Sequence, residues 1–200
     1  MKEEIIIKAS DLFLNLGFKS VTMDDLANGL GISKKTIYFH FPNKAKLVQA
    51  CTLFILNAID EGIEKIKEKE LNAIVEMFEI KNFVMDHLKD EKSSPQFQLQ
   101  KYYPKVYKSV QTHHFDTMQC SINDNLEKGI KEGLYRENIP VDFISKIYFL
   151  GMTSIKGSDL FPAKQFSIKE INEKYLEYHL RAIVTEKGLK TLKEFLPTDH

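Results

Sequence analysis

Between Ile6 and Cys51 the chain reads IIKASDLFLNLGFKSVTMDDLANGLGISKKTIYFHFPNKAKLVQAC, and no other segment limits the fold as much. Ile6, Ala9, Phe13 and Leu16 recur at helical spacing, which predicts a first helix with one apolar stripe, ended by Gly17. Thr22 stands where an N-cap is wanted, and Asp24 and Asp25 place negative charge in the following turn, where the helix dipole favours it. A second helix is therefore expected from about Met23, burying Leu26, Ala27 and Leu30. Gly31 supplies the left-handed residue that lets the chain swing into a third helix capped by Ser33. Ile37 and Phe41 then point with Ile32 to a small core, which leaves Lys34, Lys35, Tyr38 and Phe39 outside. The pattern is a helix-turn-helix with a polar and aromatic outer face.

Charge sharpens the reading. From Gly31 to Ala50 there are four lysines (Lys34, Lys35, Lys44, Lys46) and no carboxylate, whereas Met1 to Leu30 holds five acids against three lysines. The whole chain balances 28 basic against 28 acidic residues. General affinity for polyanions is not expected, so attraction to phosphate has to come from this one surface.

The strings T-M-D-D-L-A and G-I-S-K-K-T-I-Y-F-H-F-P-N-K closely resemble the DNA-binding domain of the TetR/AcrR family of transcriptional regulators. The resemblance covers roughly the first fifty residues. Gly29 stands where the family commonly has a better helix former, and Lys35 where it commonly has a small residue. The resemblance implies that Thr22 and the start of the second helix meet a phosphate, since free N–H groups at a helix N-terminus bind anions. Tyr38, His40 and Lys44 would hold the backbone across the groove, contacts that position the protein without reading sequence. Lys34, Lys35, Thr36 and Phe39 are the candidates for base edges, lysine or threonine at purine acceptors and phenylalanine at a thymine methyl. Phe39 has a second reading, packed against the first helix.

Beyond the headpiece, about 150 of the 200 residues read helical throughout. Asn43 can cap a fourth helix toward Lys69; further helices are expected over about 71–89, 97–103 and 105–132. The last of these should be ended by Gly133. Pro140 can start another helix, and Ser167 with Glu170 three residues on has the form of a capping box. Thr185 should cap a last short helix before Pro197. The fold class expected is all-α, with about nine or ten helices: a helix-turn-helix domain at 1–50 and a helical ligand-binding and dimerisation domain at 51–200. The motifs Y-Y-P (Tyr102–Pro104) and G-I-K-E-G-L-Y-R (Gly129–Arg136) resemble the family's C-terminal domain, in which the last two long helices usually pair with their copies. That implies a homodimer with Phe149, Gly151, Met152, Tyr175 and Tyr178 at the interface; the alternative is that the helix from Val141 is buried core.

Phe78, Phe83, Met85, Phe97, Tyr103, Tyr107, Phe115 and Met118 are the candidates for a mainly apolar effector pocket, or else simply core, with Tyr103, Tyr107 or His114 as orienting groups. No cofactor or metal is expected. Cys51 and Cys120 form no ligand cluster, and the adjacent His113 and His114 diverge by about 100° on a helix. No G-x-S-x-G, H-E-x-x-H or phosphate-binding glycine loop appears, so an enzyme is not expected. Without a signal peptide or membrane span the expectation is a cytoplasmic chain. The reading as a whole is a ligand-responsive regulator, a repressor released from a near-palindromic DNA operator by a small molecule. A structural nucleic-acid protein would instead bind DNA independently of any ligand.

Overall fold

A computed structural model describes residues 1–88, 95–155, 160–162 and 165–196, with the side chains of 88, 95–97, 113 and 114 also outside the description. Ten helices follow one another among the described residues: α1 (Lys2–Leu16), α2 (Met23–Leu30), α3 (Lys34–His40), α4 (Lys44–Lys67), α5 (Ala73–Leu88), α6 (Pro95–Tyr102), α7 (Pro104–Lys131), α8 (Val141–Ser154), α9 (Ile168–Ile183) and α10 (Glu186–Phe195). The all-α class is as the sequence predicts. Residues 89–94, between the helices expected over about 71–89 and 97–103, and the stop expected at Pro197 lie outside the described residues. The chain divides into two compact units, Met1–Glu61 with His87–His114, and Gly62–Asp86 with Phe115–His200.

In the first unit, helix starts and stops are set by local chemistry. Gly17 ends α1 at φ 86°, and Gly31 ends α2 at φ 65° in the left-handed region. Thr22 caps α2 reciprocally: its hydroxyl accepts the Asp25 N–H at 3.1 Å, and the Asp25 carboxylate accepts the Thr22 N–H at 2.7 Å. Ser33 caps α3, and Asn43 Oδ1 accepts the Lys46 N–H at the start of α4. Ile5, Ala9, Phe13, Leu26, Ile37, Leu47 and Cys51 are buried in one core, joined by Leu99 and Val106. Cys51 is fully buried, and burial pushes its thiol up to about 12, so it packs as a small hydrophobe.

The second unit has its own core, with Ile74, Leu126, Tyr135, Leu176, Leu180 and Leu192 among its most buried members. The G-I-K-E-G-L-Y-R segment has a structural purpose here. Gly133, at φ 69°, turns the chain after α7, and the Tyr135 ring lies directly against the backbone of Gly129, where a side chain would collide. Tyr135 then donates its hydroxyl to Asn125 Oδ1 at 3.1 Å, and Asn125 Nδ2 donates to Glu76 at 2.7 Å. Lys128 closes this buried set onto Glu76 at 2.6 Å. At α9, Ser167 accepts the Glu170 N–H, but the Glu170 carboxylate pairs with Lys174 at 3.0 Å. The expected capping box there is therefore only half formed, because a lysine one turn on competes for the acid.

Candidate nucleic-acid interface

The three residues between α2 and α3 are short enough that Ile37 is locked inside while its neighbours in sequence face out. Ile37 is fully buried, Tyr38 is 44 % exposed and Phe39 is 84 % exposed. Phe39 thus stands clear of α1, and the packed alternative does not describe it. Among the described residues its ring contact is with His40, edge to face at 5.2 Å between centroids. An aromatic so fully offered to water, on a helix without a carboxylate, is suited to an apolar contact such as a thymine methyl.

The cations around it differ in freedom. Lys35 is exposed. Lys34 is ion-paired to Asp24 of α2 at 2.8 Å, and that hydrogen-bonded acid raises the ammonium's pKa. Lys44 is half-buried: Nζ donates to the Lys19 carbonyl at 3.3 Å and lies 5.9 Å from the Phe13 ring and 6.0 Å from that of Tyr103. Desolvation there lowers its pKa, while nearby Asp25 acts in the opposite sense. Thr36 shares a 2.8 Å hydrogen bond with Ser33. Thr22 holds Asp25 through both its N–H and its hydroxyl, and these bonds, the backbone one foremost, keep the Asp25 carboxyl below its usual range. The eight expected residues therefore share one headpiece, with Lys35, Tyr38 and Phe39 exposed and Thr22, Lys34, Thr36 and Lys44 already engaged. His40 is partly covered beside Phe39.

The candidates for an effector pocket are divided between the two units. Tyr103 and Tyr107 pack against the headpiece core, Tyr103 donating to the Phe18 carbonyl at 3.4 Å. Phe78 and Met118 pack against the core of the second unit, where Phe78 stacks on Phe195 at 5.7 Å. Phe83 lies against the backbone of Gly62. Met85 is buried and takes the Asn172 amide at 2.9 Å through its sulfur, and Phe115 meets Phe149 edge-on at 4.8 Å. The side chains of Phe97 and His114 lie outside the described residues. Sequence spacing did not reveal the division, although Leu99, Tyr103 and Val106 recur at helical intervals across Pro104 and in that way mark the headpiece contact.

The five candidate dimer residues also separate. Gly151 is covered by the Tyr175 ring of the same chain, whose hydroxyl donates to the Ile147 carbonyl at 2.9 Å. Phe149 is engaged with Phe115, and Met152 packs on the second unit's core. Tyr178 is 72 % exposed. Three residues outside that set, Phe143, Ile147 and Leu150, share an exposed face of α8 at spacings of four and three. The signal was present in the sequence as a second apolar stripe about 100° around the helix from Ile144 and Tyr148.

Residues 5–51 match the family of bacterial regulatory proteins, tetR family. The match lies in the headpiece, which is similar to the DNA-binding domain of TetR-family regulators. The chain is 25 % identical over 174 residues to the HTH-type transcriptional regulator YerO of Bacillus subtilis, a match that covers 80 % of this chain and only 60 % of that relative. It is 23 % identical over 204 residues to the HTH-type transcriptional repressor KstR2 of Mycolicibacterium smegmatis, covering 94 % of this chain and 93 % of that one. Its fold is that of a putative transcriptional regulator from Saccharomonospora viridis in complex with choline, with a TM-score of 0.74, 16 % identity, and coverage of 92 % and 98 % of the two chains. Both relatives are named as HTH-type transcriptional regulators, and the shared headpiece is what this chain has in common with them.

Proposed function

We propose that this regulator is a homodimeric repressor that binds a near-palindromic operator and is released from it by a small molecule. The observation that carries the DNA contact is the outer face of α3, where an 84 % exposed Phe39 and an exposed Lys35 stand in a stretch without carboxylates. In this reading Lys34, Lys35, Thr36 and Phe39 meet base edges. Thr22, Tyr38, His40 and Lys44 meet or support the phosphate backbone. Lys44, tied to the Lys19 carbonyl, braces the turn before α2 as much as it attracts phosphate.

One headpiece recognises a half-site, so a dimer is required for useful specificity, with recognition helices about 34–36 Å apart. The exposed stripe of Phe143, Ile147 and Leu150 on α8, with Tyr178 on α9, supports an isologous four-helix contact between copies. The effector belongs to the second unit, among Phe78, Phe83, Met85, Phe115 and Met118, and is mainly apolar; the choline-bound neighbour supports a small organic ligand. It acts by preferring a dimer whose headpieces are wrongly spaced, so that DNA affinity falls by its differential affinity for the two states. No described helix is long and apolar enough to cross a membrane, which fits action on DNA in the cytoplasm.

The experiment is a thermal-shift screen of apolar, cationic and phosphorylated small molecules, followed by DNA-release assays on each compound that raises the melting temperature. Apolar or quaternary-ammonium compounds are expected to stabilise the protein and release DNA. If only polyanionic metabolites do so, the effector reading is wrong.

A further inference from the structure

Two acids open α2, and capping explains one of them. The Asp25 carboxylate closes the reciprocal cap, accepting the Thr22 N–H and hydroxyl, each at 2.7 Å. Asp24 has no part in that cap. Its carboxylate reaches over the Gly31 turn to the ammonium of Lys34, the first residue of α3, at 2.8 Å. Both side chains are well exposed, 63 % and 47 %, and an exposed pair contributes little to folding. A carboxylate at this place also repels the phosphate that the start of α2 would receive. Asp24 has the favourable dipole position of a first-turn acid but no part in the cap, and in the DNA-binding reading its charge opposes the phosphate.

The surrounding cations show what the pair does. Of the four lysines between Gly31 and Ala50, Lys44 donates to the Lys19 carbonyl at 3.3 Å and Lys46 to Gln49 Oε1 at 3.2 Å. Lys34 is held by Asp24, and among the described residues Lys35 has no polar partner. An ammonium has three donors, so Lys34 retains two after bonding Asp24. We propose that Asp24 is a specificity-determining residue of the DNA interface: it restrains Lys34 from indiscriminate phosphate contact and presents its remaining donors to purine acceptors on the base edges. This deepens the DNA-binding reading and rests on it.

The test is binding of wild type, Asp24→Asn, Lys34→Gln and the double variant to a selected operator and to a scrambled duplex, across a salt series. Freed from its acid, Lys34 should find a phosphate. Asp24→Asn should then bind scrambled duplex roughly five- to tenfold more tightly near 0.1 M salt, with a log–log salt slope steeper by about one. Operator affinity should rise less, so the ratio of operator to scrambled binding falls. Adding Lys34→Gln should abolish the gain. Asp24→Ser, which also removes the charge, should behave as Asp24→Asn does. The proposal is overturned if Asp24→Asn leaves scrambled binding unchanged, if it raises or lowers both duplexes equally, or if its gain survives Lys34→Gln. A wild-type protein that binds no duplex would instead overturn the DNA reading itself.

Discussion

Leu150→Ala should weaken self-association while leaving the monomer folded. Leu150 is 57 % exposed on α8 and is not a member of either buried core. Complete burial of a leucine side chain stabilises by about 1.5–3 kcal/mol, so covering the exposed part contributes roughly 1–1.7 kcal/mol. In an isologous interface each substitution is made twice, and alanine keeps the Cβ, which gives a loss of roughly 1.5–3 kcal/mol per dimer. At 1.4 kcal/mol per decade that is a dissociation constant raised by about one to two orders of magnitude. Sedimentation equilibrium over a concentration series reads it directly, with far-ultraviolet circular dichroism to show that the helices persist. Wild type should sediment at twice 23.2 kDa at micromolar concentration. A wild-type monomer under those conditions, or a variant whose dissociation constant moves less than twofold, would refute the assignment of this face.

Other outcomes follow from burial in the same way. Phe39→Ala removes an almost fully exposed ring and should change the melting midpoint little, while weakening operator binding by about 1–3 kcal/mol and altering the preferred sequence. Ile37→Ala, two residues earlier and fully buried, should instead cost about 2–5 kcal/mol of stability; equal effects of the two variants on folding would contradict the placement of α3. His179 is buried beside the Tyr148 ring at 4.5 Å, and burial pushes its pKa down from 6.5 to about 4. The unfolded chain therefore takes up a proton that the folded one resists. Stability is complete above about pH 6.5 and declines toward pH 4, by up to about 3 kcal/mol. Chemical denaturation across that window should show a shallower pH slope for His179→Leu, and an unchanged slope would remove His179 from the account.

The headpiece was legible in the sequence because its geometry is set by neighbours a few residues apart. Gly17, Thr22, Gly31 and Ser33 each act within one turn of their own position, and residue type alone fixes their roles. Long-range pairings were not legible. Nothing in the spacing of Asp24 and Lys34 says that ten residues and a left-handed turn bring their side chains within 2.8 Å. Tyr103 and Phe78 are both aromatics at helical intervals, yet one packs on the headpiece core and the other on the core of the second unit. A glycine such as Gly151 on an apolar helix suggests close approach of another helix, and here the Tyr175 ring of its own chain fills that space. Periodicity shows that a face is apolar; only the tertiary structure shows what covers it.

The most direct measurement is selection of duplex DNA from a randomised library by the purified full-length protein at low salt, followed by sequencing of the bound fragments. The account predicts an enriched near-palindrome whose half-sites are spaced by about one helical turn or a multiple of it, with enrichment lost when Lys35 and Phe39 are both replaced by alanine. Binding with no enriched sequence, or no binding at all, would contradict it.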